Sequence, residues 1–259
     1  MTLKSLGLRL SNGELVLLGF NQTTLVVLAG GRATRLLPIS LNTPKCLLQI
    51  NGLSVIEHIL CWAKMQEVHH IILALGHLGI EVENHVRQLS IESQSIHYSY
   101  DLEENFGTAN AVKKAVKDLR PDTQIAVVFG DSLLSLCLRD VVRFQSQNMD
   151  KIVMTALPAS LASEPGNMLV RGTHLLGYPM SPENIPPPTH TDYGLTVMRA
   201  GCAQSFKKRD LKLELESQMS YGNVIAYEIR VPYIEIGTIN SYENSKKFEK
   251  QPSGMEWIF

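Results

Sequence analysis

Apolar residues along this chain fall into two alternating rhythms. Short, nearly unbroken apolar runs occupy residues 24–28, 70–75 and 124–129. Between them, apolar positions recur every three or four residues. An unbroken run of five or six reads as a strand buried on both faces, and the wider spacing reads as one face of a helix. Val55, Ile56, Ile59, Leu60 and Ala63 mark the first such helix. Ser54 and Glu57 stand before it at the spacing of a capping box, in which Glu57 reaches back over the first turn. A helix over 81–89, a strand over 96–100 and a helix from 106 to about 119 follow, the last with Thr108 as its N-cap. Strands are predicted over 151–157, 224–229 and 233–238, and a last helix over 239–250. Residues 168–178 read as a hairpin turning at Gly172, and 179–188, with five prolines, as a loop. Strands alternating with helices imply a doubly wound α/β sheet, whose ligands sit at the carboxyl ends of its strands.

Residues 1–22 precede this pattern. Asn12-Gly13 lies between two apolar runs and predicts a hairpin with a tight turn. The segment is read as an N-terminal extension, with an edge addition, a partner contact and an unstructured lead-in all open to it. Residues 23–259 read as a single domain, since 259 residues bury one sizeable core or at most two small ones. The net charge of -1 argues against a nucleic-acid binder but leaves room for a local anion site. No apolar run is long enough for a membrane span, and the N-terminus lacks a signal-peptide pattern, so no membrane partner is expected. The four cysteines are widely spaced with no C-x-x-C pair, which fits reduced thiols and a cytoplasmic setting. The eight histidines show no metal-ligand spacing, and no G-x-S-x-G nucleophile motif is present. Direct displacement therefore fits better than a covalent intermediate.

The chemistry concentrates just after the first core strand, in Leu28-Ala-Gly-Gly-Arg-Ala-Thr-Arg-Leu-Leu-Pro-Ile-Ser-Leu-Asn-Thr-Pro-Lys45. Gly30 and Gly31 let the backbone turn tightly and present N–H groups, which form an anion nest. With the cations Arg32, Arg35 and Lys45 close by, the predicted partner is a polyphosphate.

This stretch resembles the signature of the sugar-1-phosphate nucleotidyltransferases, L-A-G-G-x-G-T-R-L-x-P-L-T-x-x-x-P-K. Ala33 stands where the family usually has Gly, and Ser40 where it has Thr. The resemblance extends over about 24–246 through weaker anchors. Phe106-Gly-Thr-Ala-Asn-Ala111 is similar to the L-G-T-A-G-A segment that packs beside the nucleotide base. Gly130-Asp131 is similar to N-G-D, whose Asp binds Mg²⁺, with Phe129 in place of the usual Asn. Tyr233-Ile-Glu-Ile-Gly-Thr238 is similar to D-I-G-T, which makes Glu235 a second metal ligand, on a longer arm than the usual Asp. Asp192-Tyr-Gly-Leu195 is similar to a D-Y-G-L segment that one branch places against the sugar. The lysine that many relatives carry near Tyr178 is missing here.

The resemblance implies a Rossmann-like doubly wound mixed sheet, the nucleotide-diphospho-sugar transferase fold, with a small β insertion around the sugar. It implies nucleotidyl transfer from a nucleoside triphosphate to a sugar 1-phosphate, most like the short heptose-1-phosphate guanylyltransferases and related uridylyltransferases. Arg35, Lys45 and Asp131 would be catalytic. Leu28, Ala29, Gly30, Gly31, Gly107 and Thr108 would bind the nucleotide, and Asp131 with Glu235 would hold Mg²⁺. Tyr178, Asp192, Tyr193 and Gly194 would face the sugar. Homo-oligomers are compatible with this reading. Two alternatives stand beside it: a non-catalytic nucleotide-sugar-binding regulator, favoured by the departures at Ala33, Phe129 and Glu235, and a cytidylyltransferase acting on a non-sugar phosphate or phosphonate.

Overall fold

The computed structural model describes residues 7–9, 15–17, 23–89, 91, 94–101 and 107–247. Strands β1 (Gly7–Arg9) and β2 (Leu15–Leu17) pair antiparallel, with Gly7 opposite Leu17. The predicted turn at Asn12-Gly13 lies outside the described residues. β3 (Thr24–Ala29) is buried throughout except for the half-buried Leu28. Two single 3-10 turns, Thr34–Leu36 and Lys45–Leu47, carry the chain to a small ribbon of β4 (Gln49–Ile50) and β5 (Leu53–Ser54). Helix α1 (Val55–Met65) starts where its capping box was predicted. The Ser54 hydroxyl accepts from Glu57 N, and the Glu57 carboxylate accepts from Ser54 N at 2.8 Å.

The order then runs β6 (His70–Leu75), α2 (Gly79–Gln88), β7 (Ser95–Tyr100), α3 (Thr108–Ala115), β8 (Gln124–Phe129), β9 (Ser132–Leu133), α4 (Leu138–Gln147) and β10 (Ile152–Pro158). A hairpin of β11 (Leu169–Arg171) and β12 (His174–Gly177) turns at Gly172, and the proline-rich loop leads to β13 (His190–Arg199). Helices α5 (Ala200–Gln204) and α6 (Leu211–Ser220), strands β14 (Val224–Glu228) and β15 (Ile234–Glu235), and helix α7 (Ile239–Ser245) complete the described chain.

Nine strands form one sheet in the order β11-β12-β14-β10-β13-β8-β3-β6-β7. β8, β3, β6 and β7 run parallel, while β13 lies antiparallel to both β8 and β10. Alternate strand residues point to opposite faces. Leu25 and Val27 accordingly join α1, α2, α4 and α7 in one core, and Val26 joins α3, α5 and α6 in the other. The sheet is thus covered by helices on both sides. The chain leaves β3 toward β6 and β7, then returns to β8 on the other flank. That reversal opens a crevice between the carboxyl ends of β3 and β8, the usual place for a ligand in such sheets.

The β11–β12 hairpin extends the edge of the main sheet, through His174 opposite Ile225. Two details differ from the sequence-based expectation. Thr108 is the first residue of α3 and not its cap. Gly107 holds the cap position, and the Thr108 hydroxyl accepts from Leu211 N at 2.8 Å instead. Helix α7 stops at Ser245, and residues 248–250 lie outside the described residues. Among the described residues, no helix is long and apolar enough to cross a membrane.

Candidate active site

The crevice is built from strand ends. Beyond Ala29, Gly30 passes Gly76, the residue that follows β6, so closely that a Cβ on Gly30 would stand 2.9 Å from Gly76 N. Glycine at both positions lets the two strands exit side by side, and His77 N donates to Gly30 O at 3.2 Å. The loop then bends at Ala33, whose φ of 48° and ψ of 42° are left-handed. Ser40 Oγ donates to Ala33 O at 2.8 Å and fixes that bend. The 3-10 turn after it carries Arg35. The second 3-10 turn, entered through Pro44, aims Lys45 back into the crevice, where its ammonium pairs with the Asp131 carboxylate. Both side chains are largely buried, 14% and 24% exposed.

Asp131 follows β8 after one residue, Gly130. Its Oδ1 accepts from Ser132 Oγ at 3.2 Å, and its carbonyl accepts from Ile236 N at 2.9 Å. The pairing of β9 with β15 sets Glu235 opposite Ser132, which brings a second carboxylate beside Asp131. Burial and the Asp131 charge push the Glu235 carboxyl up, against the pull of Lys45 and Arg35. Arg35 Nη2 lies 3.7 Å from where a Cβ on Gly237 would stand, and Glu235 Oε1 lies 2.9 Å from the same point. Two cations and two carboxylates from distant parts of the chain thus meet at one end of the crevice.

A cavity of about 290 Å³ occupies the crevice. Leu28, Ala29, Gly30, Gly31, Arg35, Lys45, Gly107, Thr108 and Asp131 line it, as does Phe129. Gly107 has φ +151°, and a Cβ there would strike Arg209 O at 2.5 Å. That carbonyl accepts from Ala109 N and Asn110 N and so closes the start of α3. The walls also include Ala74, Leu75 and Asp101, which sequence reasoning gave no role, and Ala111 and Gly237, which it quoted only as parts of motifs. A signal for two of them was available, since Leu75 and Asp101 stand at the carboxyl ends of predicted parallel strands.

Among the described residues, no three His, Cys, Asp or Glu side chains gather as a metal cluster. The Asp131 and Glu235 pair nonetheless suits Mg²⁺, which takes one or two carboxylates and completes its shell with phosphate oxygens and water. Two adjoining carboxylates, one of them with a raised pKa, also favour a cation between them.

None of the four residues expected at the sugar lines the cavity: Tyr178, Asp192 and Gly194 are linked to one another, and Tyr193 lies in the core on the other face. Tyr178 Oη donates to Asp192 Oδ2 at 2.9 Å, and Asp192 Oδ1 accepts from Gly194 N at 2.9 Å. Burial pushes the Asp192 carboxyl up, partly offset by these bonds, and pushes the Tyr178 phenol up as well. Tyr193 is fully buried on the opposite face and stacks against Tyr233 with ring centroids 4.8 Å apart. The Tyr233 hydroxyl in turn donates to Asp192 O at 3.1 Å. Gly194 adjoins the cavity wall, since a Cβ there would lie 3.9 Å from the Phe129 ring.

Two other groups are chemically quiet. Burial raises the Cys46 thiol to about 12, so it fills space beside Lys45 and is no nucleophile. Ser54, His85 and Glu57 meet away from the cavity, but Ser54 Oγ donates straight to Glu57 at 2.6 Å. His85 Nε2 lies 3.2 Å from both, so the imidazole does not stand between hydroxyl and acid as a relay requires.

A nine-stranded sheet with a glycine-lined crevice at its switch point, where two cations meet two carboxylates, is the architecture of a nucleotide-binding α/β protein. The chain belongs to the nucleotidyl transferase family, whose profile matches residues 24–170. It is 28% identical over 151 residues to a putative mannose-1-phosphate guanyltransferase of Sulfolobus acidocaldarius, a match covering 58% of this chain and 42% of the relative. It is 30% identical over 135 residues to a mannose-1-phosphate guanylyltransferase of Mycobacterium tuberculosis, covering 52% of this chain and 37% of the relative. The chain thus spans less than half of the length of these relatives. Its fold is that of the nucleotide-diphospho-sugar transferases. A putative glucose-1-phosphate thymidylyltransferase from Bacillus anthracis, solved with a sucrose, superposes with a TM-score of 0.74 at 17% identity, over 87% of this chain and 94% of that one. HddC from Yersinia pseudotuberculosis, complexed with GMP-PN, gives 0.68 at 19% identity, over 86% and 98%.

Proposed function

We propose that this chain transfers a nucleotidyl group from a nucleoside triphosphate to a sugar 1-phosphate, with residues 23–259 acting as one catalytic unit and 1–22 as an extension. The observation that carries the reading is the convergence of Gly30-Gly31, Arg35, Lys45 and Asp131 on one cavity at the β3–β8 switch point. A sugar-phosphate oxygen attacks the α-phosphorus, a new P–O bond forms, and the bond to the β-phosphate oxygen breaks to release pyrophosphate. The chain's part is positioning and charge neutralisation. Backbone N–H groups around Gly30 and Gly31 hold phosphate oxygens. Lys45 follows the α-phosphate as the attacking oxygen approaches, and Arg35 offsets charge growing on the leaving pyrophosphate. Asp131 and Glu235 would hold Mg²⁺, which when bound supplies further neutralisation of phosphate oxygens.

The relatives differ in both base and sugar by name, so neither is carried over from them. The sugar is assigned to the side where Gly194, bonded to Asp192, adjoins Phe129. Tyr178 would orient Asp192, and Tyr193 would support it from the core through Tyr233. A cytoplasmic setting fits the unpaired cysteines.

The test is pyrophosphate release with each common triphosphate, a panel of sugar 1-phosphates and Mg²⁺. Turnover with at least one pair is expected. Lys45→Ala should lower the maximal rate on the order of a hundredfold, since one charge acting on the transition state in a water-poor site contributes a few kcal/mol. Nucleotide-sugar binding without turnover for any pair would return the chain to the regulatory reading.

A further inference from the structure

We infer that Lys212, in the first turn of α6, holds the phosphate of the incoming sugar 1-phosphate. This rests on the nucleotidyl-transfer reading above and deepens it. In that reading Lys45 meets the α-phosphate and Arg35 the leaving pyrophosphate, so neither cation is left for the acceptor's own phosphate. The acceptor also arrives among carboxylates. Asp131 and Glu235 lie at one end of its approach, and Asp192 lies on the side assigned to the sugar. A phosphate entering there meets like charge unless a further cation accompanies it.

Lys212 adjoins both halves of the site. On one side is the cavity: the residue before it, Leu211, donates its N–H to the hydroxyl of Thr108, which lines the cavity wall. On the other side are the residues expected at the sugar. The Lys212 ammonium lies 6.0 Å from the centroid of the Tyr178 ring. Tyr178 bonds to Asp192, Asp192 to Gly194, and Gly194 adjoins Phe129 on the cavity wall. The Lys212 charge reaches Asp192 as well, and pulls that carboxyl down against the larger effect of burial. The residue after β12, the start of β13 and the first turn of α6 thus converge, and Lys212 brings a cation to the place where they meet.

The main chain beneath Lys212 is fixed, while its ammonium is held loosely. Asp210 Oδ1 accepts from Lys212 N at 2.8 Å and from Leu213 N at 3.3 Å. The Glu214 carboxylate accepts from Lys207 N and Lys208 N and so secures the approach to the helix. Among the described residues, Lys212 joins no ion pair. Its distance from the Tyr178 ring is at the outer limit for a cation over an aromatic face. Both Asp192 oxygens already accept hydrogen bonds, from Tyr178 and from Gly194. An exposed ammonium on a flexible stem and a fixed base can turn to a phosphate at little cost.

The experiment is steady-state pyrophosphate release, each substrate varied in turn, for wild type, Lys212→Ala, Lys212→Arg, Lys208→Ala and the double variant Lys212→Ala/Met180→Lys. Lys212 and Lys208 are both exposed, so their variants should fold as wild type does. Met180 reaches the same residues from another element, since its N–H donates to Asn167 O and Asn167 Oδ1 accepts from Asp192 N. Lys212→Ala should raise KM for the sugar 1-phosphate about tenfold or more, the loss of one charged hydrogen-bond partner. KM for the triphosphate should stay within about twofold, because the donor does not meet Lys212. Lys212→Arg keeps the charge and should keep most of the acceptor's affinity. Lys208→Ala should match wild type, and Met180→Lys should restore the acceptor KM in the double variant. An unchanged acceptor KM in Lys212→Ala overturns the assignment. So does an equal rise for both substrates, an equal rise in Lys208→Ala, or a double variant no better than Lys212→Ala. If wild type turns over no pair, nucleotidyl transfer falls, and calorimetry with mannose 1-phosphate and glucose 1-phosphate decides the role of Lys212 instead. Binding that Lys212→Ala weakens about tenfold or more supports it. Equal affinity, or no binding to wild type, overturns it.

Discussion

Ala33 occupies a left-handed backbone conformation that costs an alanine more than a glycine, because its Cβ crowds the neighbouring carbonyl. The family signature has glycine at this position, and the structure gives the reason: the loop must reverse there to point Arg35 and then Lys45 back into the cavity. Ser40, buried and bonded to Ala33 O, holds the bend without glycine. Ala33→Gly should therefore stabilise the protein by ~1 kcal/mol, the strain released less the extra flexibility glycine brings to the unfolded chain. A rise in the urea midpoint at unchanged slope would show it, and a fall would mean that the bend is not strained. The site residues differ in how far the sequence exposes them. Arg35, Lys45 and Asp131 are legible because each sits in a motif whose residue types are chemically specific. Asp101 is less so: its place just past a predicted strand is a signal, but only the pairing of β7 beside β6 brings that strand end to the cavity. Tyr193 shows the converse: a recognisable motif places it at the sugar, yet strand alternation turns its ring into the core.

Capping shows the same division at the level of elements. The Ser54–Glu57 box was legible because both halves lie within four residues and act on one helix end. The start of α3 was not, because Thr108 spends its hydroxyl on Leu211, 103 residues away, and Arg209 closes the helix end in its place. The α1 box carries a pH dependence. Burial pushes the Glu57 carboxyl up, but the Ser54 hydroxyl, the Ser54 N–H and His85 together outweigh it, so its pKa in the folded protein lies below the ordinary value. A carboxyl depressed by folding contributes stability that is full above its unfolded pKa and is lost as pH falls through the folded one. The window therefore lies in the acid range, below the ordinary Glu value of about 4.3. Glu57→Gln should cost about 1 kcal/mol at pH 7, in the range of a lost cap. The gap from wild type should close as pH falls through that window. Urea unfolding of both proteins at several pH values checks this, and a gap constant down to pH 3 would assign the loss to packing.

Across the whole molecule, the site depends on where the chain reverses its direction of winding. Paired residues of β3 and β8, such as Thr24 and Ile125, are just over a hundred positions apart in sequence but adjacent in the sheet, and only that adjacency brings the Lys45 loop against Asp131. Local pattern reveals strands and helices but not their order across a sheet, so the doubly wound class was legible and the crevice geometry was not. The reversal has a consequence for ligand binding. Asp131 has a cation of its own, the Lys45 ammonium, held in a largely buried pair. A divalent ion approaching Asp131 and Glu235 must displace that ammonium and leave it without a partner, which is costly in a partly desolvated site. On the proposed reaction, a triphosphate would remove the obstacle by giving Lys45 a new anion and giving the ion oxygen ligands. Mg²⁺ alone should therefore stabilise the protein little, and Mg²⁺ with its triphosphate strongly. Saturation at a hundred times the dissociation constant contributes about 2.7 kcal/mol. Lys45→Gln separates the terms. It frees Asp131 while weakening the hold on phosphate, so Mg²⁺ alone should now raise the unfolding temperature, and the extra gain from triphosphate should shrink. Thermal unfolding of both proteins in a Mg²⁺ series, with and without triphosphate, reads the four combinations directly. Equal stabilisation of wild type and Lys45→Gln by Mg²⁺ alone would show that the ammonium does not compete for Asp131.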